Sequence, residues 1–161
     1  MRRIVAAIAA CALVCPSLAG AGVSHTGALL WATIDECRSL PTGELVGLRA
    51  SMPGTGDANE QMFMRFRLQY SGPGTSGWRV LGGSSALVNA GSAAYASRQA
   101  GLSFQLTVST TPGTLVRGVV AFQWRSGSTI VRSARRLTSA GREPSAGAHP
   151  PGYSAARCTV S

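Results

Sequence analysis

Residues 115–137 constrain the fold most, because polar and apolar side chains alternate along them with a period of two. Successive side chains of a β-strand point to opposite faces, so this alternation predicts a strand with one core face and one solvent face. The even positions of its first half supply the core face, namely Val116, Gly118, Val120, Phe122 and Trp124. Ser126-Gly127-Ser128 then reverses the chain into a second strand, which predicts a β-hairpin.

The turn of this hairpin can be placed in two ways. A turn centred on Ser126-Gly127 would set Arg117 opposite Arg136, and like charges directly opposite each other are destabilising. A turn centred on Gly127-Ser128 removes that opposition and gives a type II′ turn the glycine it needs at its first central position. We therefore predict the Gly127-Ser128 turn, with a longer irregular loop as the alternative.

Either register gives the second strand the same two faces, because side-chain direction repeats every two residues. The core face of this strand would carry Thr129, Val131, Ser133 and Leu137. Arg132 and Arg136 would then point outward, while Arg135 would lie on the inner side near the strand end.

The same alternation recurs at residues 61–70, where Arg65 and Arg67 are predicted to face outward between apolar neighbours. Shorter strands are predicted at residues 29–37, 44–52, 78–81 and 102–109, with Gly82-Gly83 ending the third of these. Residues 84–101 could form a strand or a short helix, and we favour the strand. Seven or eight short strands separated by turn residues predict an all-β protein, an antiparallel β-sandwich.

The core of the sandwich is predicted from the apolar parity of each strand. It comprises Met64, Phe66, Leu68, Leu106, Val108, Val120, Phe122 and Trp124. Trp31 is also predicted to pack in the core, because it belongs to the first strand. Trp78 lies between Gly-rich loops and is the candidate exposed aromatic residue.

The N-terminus has the features of a secretory signal peptide over residues 1–21. Arg2 and Arg3 precede an apolar run, and Ala19-Gly20-Ala21 fits the small-x-small cleavage rule. The alternative is a lipoprotein-type cleavage before Cys11, which would leave a short hydrophobic segment. No transmembrane segment is expected after signal cleavage, since the apolar run is too short to span a bilayer.

The remaining chain divides into three parts by composition. Residues 22–28 are predicted to be a flexible N-terminus, residues 29–137 the β-sandwich domain, and residues 138–161 a Pro/Gly/Ala-rich tail tethered by its C-terminal cysteine. The end of this tail, residues 158–161, could add a short edge strand beside residues 29–37.

Signal removal leaves two cysteines, Cys37 and Cys158. An exported chain meets an oxidising environment, so this pair predicts a disulfide. All 15 basic residues are arginine, and 13 of them remain against six acids, a net charge of +7.

The chain resembles uncharacterised secreted actinobacterial proteins with Ig-like or fibronectin-III-like domains. The shared features are an early-strand cysteine, the strand MRFRLQY, a Trp-bearing strand, the hairpin VVAFQWRSG and a C-terminal cysteine. The resemblance implies an Ig-like or fibronectin-III-like β-sandwich and an extracellular location, and it carries no catalytic motif. The chain departs from this pattern in two ways: its disulfide is not the inter-sheet B–F bridge with a packed Trp that marks antibody domains, and the long tail before Cys158 has no counterpart in a minimal sandwich.

Residues that could support catalysis are scarce, and we predict no catalytic site, no metal site and no cofactor. His25 follows the signal and His149 lies in the tail, so neither is placed for a Ser-His-Asp triad or a metal site. The adjacent acids Asp35 and Glu36 would face opposite sides of a strand, so they cannot flank one glycosidic bond by themselves.

The arginines are the remaining candidate for function. If the strands at 61–70 and 115–137 share a sheet, six arginines gather on one anion-binding face: Arg65, Arg67, Arg117, Arg125, Arg132 and Arg136. We expect a secreted or cell-surface, non-enzymatic binding or structural module. Its partner would be an anionic cell-envelope polymer or another secreted protein, with no specific nucleic acid. The alternatives are a carbohydrate-binding module of the cell envelope, for which exposed aromatic rings would be needed, and a hydrolase with an unfamiliar site.

Overall fold

A computed structural model describes residues 26–107, 113–142 and 147–160. The predicted signal peptide, residues 1–21, lies outside the described residues. The elements are α1 (Thr26–Leu29), β1 (Trp31–Leu40), β2 (Gly43–Pro53), β3 (Glu60–Ser71), β4 (Arg79–Ser92), β5 (Ser97–Leu106), β6 (Thr114–Ser126), β7 (Thr129–Leu137) and β8 (Cys158–Val160). Within the described ranges, no helix has the length and apolar character needed to cross a membrane.

The strands form two antiparallel sheets, and the predicted all-β sandwich is confirmed. The small sheet has the order β1-β2-β5, and the large sheet has the order β4-β3-β6-β7 with β8 also paired to β6. In immunoglobulin lettering, β1, β2 and β5 take the positions of A, B and E, while β3, β6 and β7 take those of C, F and G. The fold is therefore Ig-like or fibronectin-III-like, with β4 in the position of C′.

The core lies between the two sheets, where even positions of β3 and β6 pack against even positions of β1 and β2. Six of the eight predicted core residues are buried, namely Met64, Phe66, Leu68, Val120, Phe122 and Trp124. Leu106 is partly buried and packs against this cluster, whereas Val108 lies outside the described residues. The buried indole of Trp124 donates a hydrogen bond to the Pro53 carbonyl at 2.9 Å, which satisfies its only polar group.

The hairpin turn is the one that the sequence predicts. Ser126 pairs with Thr129, so Gly127 and Ser128 are the two central residues. Gly127 has φ of 58°, a backbone conformation that a residue with a side chain rarely adopts.

Two residue pairs beyond this turn, a β-bulge changes the faces of β7. Arg125 pairs with Ile130, but the next residue of β6, Trp124, pairs with Arg132, so Val131 is an extra residue. A bulge of this kind sets two residues of one strand against one of its partner and reverses the side-chain parity beyond it.

The predicted faces of β7 are therefore wrong from Val131 onward. Arg132 lies opposite the buried Trp124, and Arg136 lies opposite the buried Val120, so both are on the core side of the sheet. Arg135 lies opposite Ala121 and points outward with it. Val131 and Leu137, predicted to face the core, are 50% and 44% exposed.

Residues 84–101 are strand rather than helix, as favoured, but they form the end of β4 and the start of β5 with a turn at residues 93–96 instead of one strand. The predicted break at Gly82-Gly83 is wrong. Ser85 pairs with Arg67 and Val80 pairs with Gln69, so β4 continues through this segment. Residues 81–84 of β4 therefore lie opposite a single residue of β3, Leu68, and form an enlarged β-bulge. Gly83 has φ of 73° within it, so the glycines allow the bulge rather than ending the strand.

The predicted disulfide between Cys37 and Cys158 is confirmed, and the two Cα atoms lie 6.0 Å apart. Cys37 belongs to β1 in the small sheet, and Cys158 belongs to β8, which pairs with β6 in the large sheet. The bridge therefore links the two sheets, and the predicted pairing of this C-terminal strand with the first strand is wrong.

The described part of the tail instead lines the open edge of β1. Ile34 and Ala155 exchange two backbone hydrogen bonds of 2.9 and 3.0 Å, and the His149 amide donates to the Asp35 carbonyl at 2.9 Å. These bonds occupy edge groups that would otherwise be available to another strand.

Candidate anion-binding face

The outer side of the large sheet gathers five arginines, which we call the arginine face: Arg65, Arg67, Arg117, Arg125 and Arg135. The first four occupy odd positions of β3 and β6, and the even positions of these strands face the core. Arg135 joins them because of the β7 bulge. Four of the six predicted face residues are thus brought together, while Arg132 and Arg136 lie on the other side.

The strand register fixes the arrangement of these side chains. Arg65, Ala121 and Arg135 form one row across β3, β6 and β7. Neighbouring strands are about 4.8 Å apart, so the Cα atoms of the two arginines are separated by roughly 10 Å across the small alanine. In the next row, Arg67 pairs with Val119, which pairs with Leu137.

These rows enclose a groove of about 280 Å³ above the middle of β6. Its walls and floor are formed by Arg65, Arg67, Gln69, Val80, Val119, Ala121 and Arg135. The floor is apolar and uncharged, while guanidinium groups stand on both sides of it. The groove therefore combines a small hydrophobic base with concentrated positive charge.

The described hydrogen bonds of the arginine face go to neutral side chains. Arg117 Nε donates to Gln69 Oε1 at 2.9 Å, and Arg125 Nε donates to Gln123 Oε1 at 3.0 Å. Neutral acceptors orient a guanidinium group without cancelling its charge. Orientation and an intact charge are both needed for a group that binds an external anion.

Aromatic rings position two of the same arginines. The guanidinium of Arg117 lies 4.1 Å from the centre of the Trp78 ring, and that of Arg157 lies 5.6 Å from the same ring. Arg125 lies 4.6 Å from the Phe63 ring. Cation–π contacts at these distances restrict the motion of the guanidinium groups. Trp78, the candidate exposed aromatic, is only partly exposed and supports arginines.

The positive groups on this side of the sheet influence one another. Partial burial, followed by the nearby charges of Arg157 and Arg135, lowers the pKa of Arg117. Arginine stays protonated at neutral pH even so. Arg157 and Arg135 thus add like-charge repulsion at Arg117 to the effect of burial, and a bound anion would relieve this repulsion.

Acidic residues are placed elsewhere in the described structure. Asp35, Glu36 and Glu44 belong to β1 and β2, while Asp57 and Glu60 lie at the entrance to β3. Among the described residues, no acid occupies a position whose register points to the outer side of the large sheet. The two sides of the sandwich thus differ strongly in charge.

A second, polar cavity of about 190 Å³ lies on the small sheet and includes Asp35, Glu36 and Arg49 in its lining. Arg49 Nε lies 3.1 Å from Asp35 Oδ2, and Arg38 Nε lies 2.8 Å from Glu36 Oε1. The charges of this cavity are therefore paired within the protein, in contrast to those of the arginine face.

The other residues considered from the sequence do not converge on a site. Trp31 and Trp124 are 7% and 1% exposed, so they offer no ring surface to a sugar. His149 lies beside β1 through its backbone, and His25 is outside the described residues. In the part of the chain that the structure describes, no three His, Cys, Asp or Glu side chains form a group suited to a metal ion.

Comparison of this chain with protein-family models, with curated proteins and with solved structures finds no match.

Proposed function

We propose that the protein is a secreted, non-enzymatic binding module that contacts an anionic polymer at the cell surface or outside the cell. The observation that carries this proposal is the arginine face, which holds five arginines and no described acid. The signal-like N-terminus and the Cys37–Cys158 disulfide support export, because disulfides persist in oxidising compartments.

The arrangement of the charge supports a binding role beyond solubility. If the arginines served only to keep the chain soluble, they could be spread over the surface or paired with acids. Arg38 and Arg49 are paired in this way with Glu36 and Asp35. On the arginine face, guanidinium groups flank a groove and are oriented by Gln69, Gln123 and two aromatic rings. Such a surface attracts polyanions over distances that shorten with salt, from about 10 Å at 0.1 M to about 3 Å at 1 M.

Two neighbouring residues of β7 provide a matched test. Arg135→Ser and Arg136→Ser remove the same charge from the same strand, but Arg135 lies on the arginine face and Arg136 on the core side. On a dextran sulfate column, we expect Arg135→Ser to elute at clearly lower salt than the wild type. Arg136→Ser should elute close to the wild type, because it leaves the groove unchanged.

The same comparison can be strengthened with double variants. Arg65→Ser combined with Arg135→Ser removes one arginine from each side of the groove, and Arg132→Ser combined with Arg136→Ser is its control of equal net charge. Melting temperatures would verify that each variant is folded. Equal elution of the two doubles would reject the arginine face and leave only the overall charge of the protein.

A further inference from the structure

The positive groups of the arginine face follow a line rather than a round patch. Arg117, Ala121 and Arg125 are outward residues of β6 spaced four residues apart, with Val119 and Gln123 between them. A strand rises about 3.4 Å per residue, so Arg117 and Arg125 are roughly 27 Å apart along the strand. Arg65 and Arg135 flank the midpoint of this line at Ala121. An extended polymer lying along β6 would therefore meet arginines near both ends of the strand and beside its middle.

The middle of the line favours one kind of anion. Guanidinium groups stand on opposite sides of the groove, with Arg65 and Arg67 on β3 and Arg135 on β7. A planar carboxylate can be satisfied by the fork of one arginine. A phosphate group presents its oxygens in tetrahedral directions, so it can accept hydrogen bonds from arginines on both sides at once.

The floor of the groove fits the uncharged parts of such a chain. Val119 and Ala121 form a shallow apolar base between the arginines, and Gln69 adds a neutral polar group. Short carbon linkers between phosphate groups can contact this base while the phosphates reach the guanidinium groups.

We propose that the ligand of the arginine face is a linear, phosphate-linked polymer laid along β6. This inference rests on the proposed function, because it names the class of polyanion that the same face binds. It commits to a polymer chain and not to a lipid surface, since the charges extend roughly 27 Å along β6 but only roughly 10 Å across the sheet, and the apolar base is recessed between the walls.

The test compares four probes on the disulfide-bonded mature chain by titration calorimetry at fixed salt. They are long-chain inorganic polyphosphate, tripolyphosphate, polygalacturonate and vesicles of phosphatidylglycerol with phosphatidylcholine. We expect long-chain polyphosphate to bind at least about tenfold more tightly than tripolyphosphate or polygalacturonate, a difference of about 1.4 kcal/mol. The Arg65→Ser, Arg135→Ser double should lose about tenfold in affinity for polyphosphate, and the Arg132→Ser, Arg136→Ser double should not.

Each other outcome overturns a defined part of the inference. Equal affinity for polygalacturonate, lost in the same double variant, would overturn the preference for phosphate and leave the proposed function standing. Equal affinity for tripolyphosphate would overturn the extended path along β6. Binding to the vesicles without binding to polyphosphate would point to a membrane surface instead. Binding to none of the probes would contradict both the inference and the proposed function.

Discussion

Replacing Phe122 with alanine is expected to lower the free energy of unfolding by about 3–5 kcal/mol. The ring is fully buried on the core side of β6, where Phe122 pairs with Met64 on one neighbouring strand and Ala134 on the other. Removing it takes away apolar contacts and leaves a cavity that β-strands paired on both sides cannot close. Denaturant unfolding followed by tryptophan fluorescence would measure the change.

Ser133→Ala is the matched control for this substitution. Ser133 is exposed on the outer side of β7, so we expect its replacement to change the unfolding free energy by no more than about 0.5 kcal/mol. If Phe122→Ala unfolded no more readily than Ser133→Ala, the assignment of the core face of β6 would be wrong.

Removing the disulfide with Cys37→Ser and Cys158→Ser is expected to cost up to about 4–5 kcal/mol. The bridge closes a loop over a sequence separation of 121 residues, which greatly restricts the unfolded chain. It also holds β8 against β6, where Cys158 pairs with Val116, and it links β8 to β1 of the small sheet. We therefore expect a large fall in melting temperature together with early loss of protection in residues 147–160.

The wild-type protein under reducing conditions provides the control for the cysteine variants. Its melting temperature should fall to that of the double variant, since both lack the same covalent link. Two free thiols per folded mature chain, or a melting temperature that does not respond to reductant, would contradict the role given to the bridge.

The strands and the core could be predicted from the sequence because their signal is local. Alternation in β3 and β6 identified the residues that face the core, and the glycine of the β6–β7 turn identified its central pair. The sequence contains no comparable local pattern that shows which distant strands pair with each other. The pairing of β8 with β6 depends on how the whole sandwich closes, so the period-two pattern could not show it.

The composition of the arginine face was missed for a related reason. A single bulged residue, Val131, exchanges the faces of the following arginines, and the alternation of β7 is compatible with either assignment. The arginines themselves gave no signal for the bulge. The unbulged register placed Arg135 on the inner side, whereas the bulge places Arg132 and Arg136 there, and both stay exposed to solvent.

The most direct measurement of the arginine face is a map of backbone amide chemical shifts during titration with long-chain polyphosphate. The affected amides should belong to the outward residues around the groove, with the largest changes at Arg65, Ala121 and Arg135. Amides of the small sheet, such as those of Val46 and Phe104, should remain unchanged. Changes concentrated on the small sheet, or spread evenly over both sheets, would contradict binding at the arginine face.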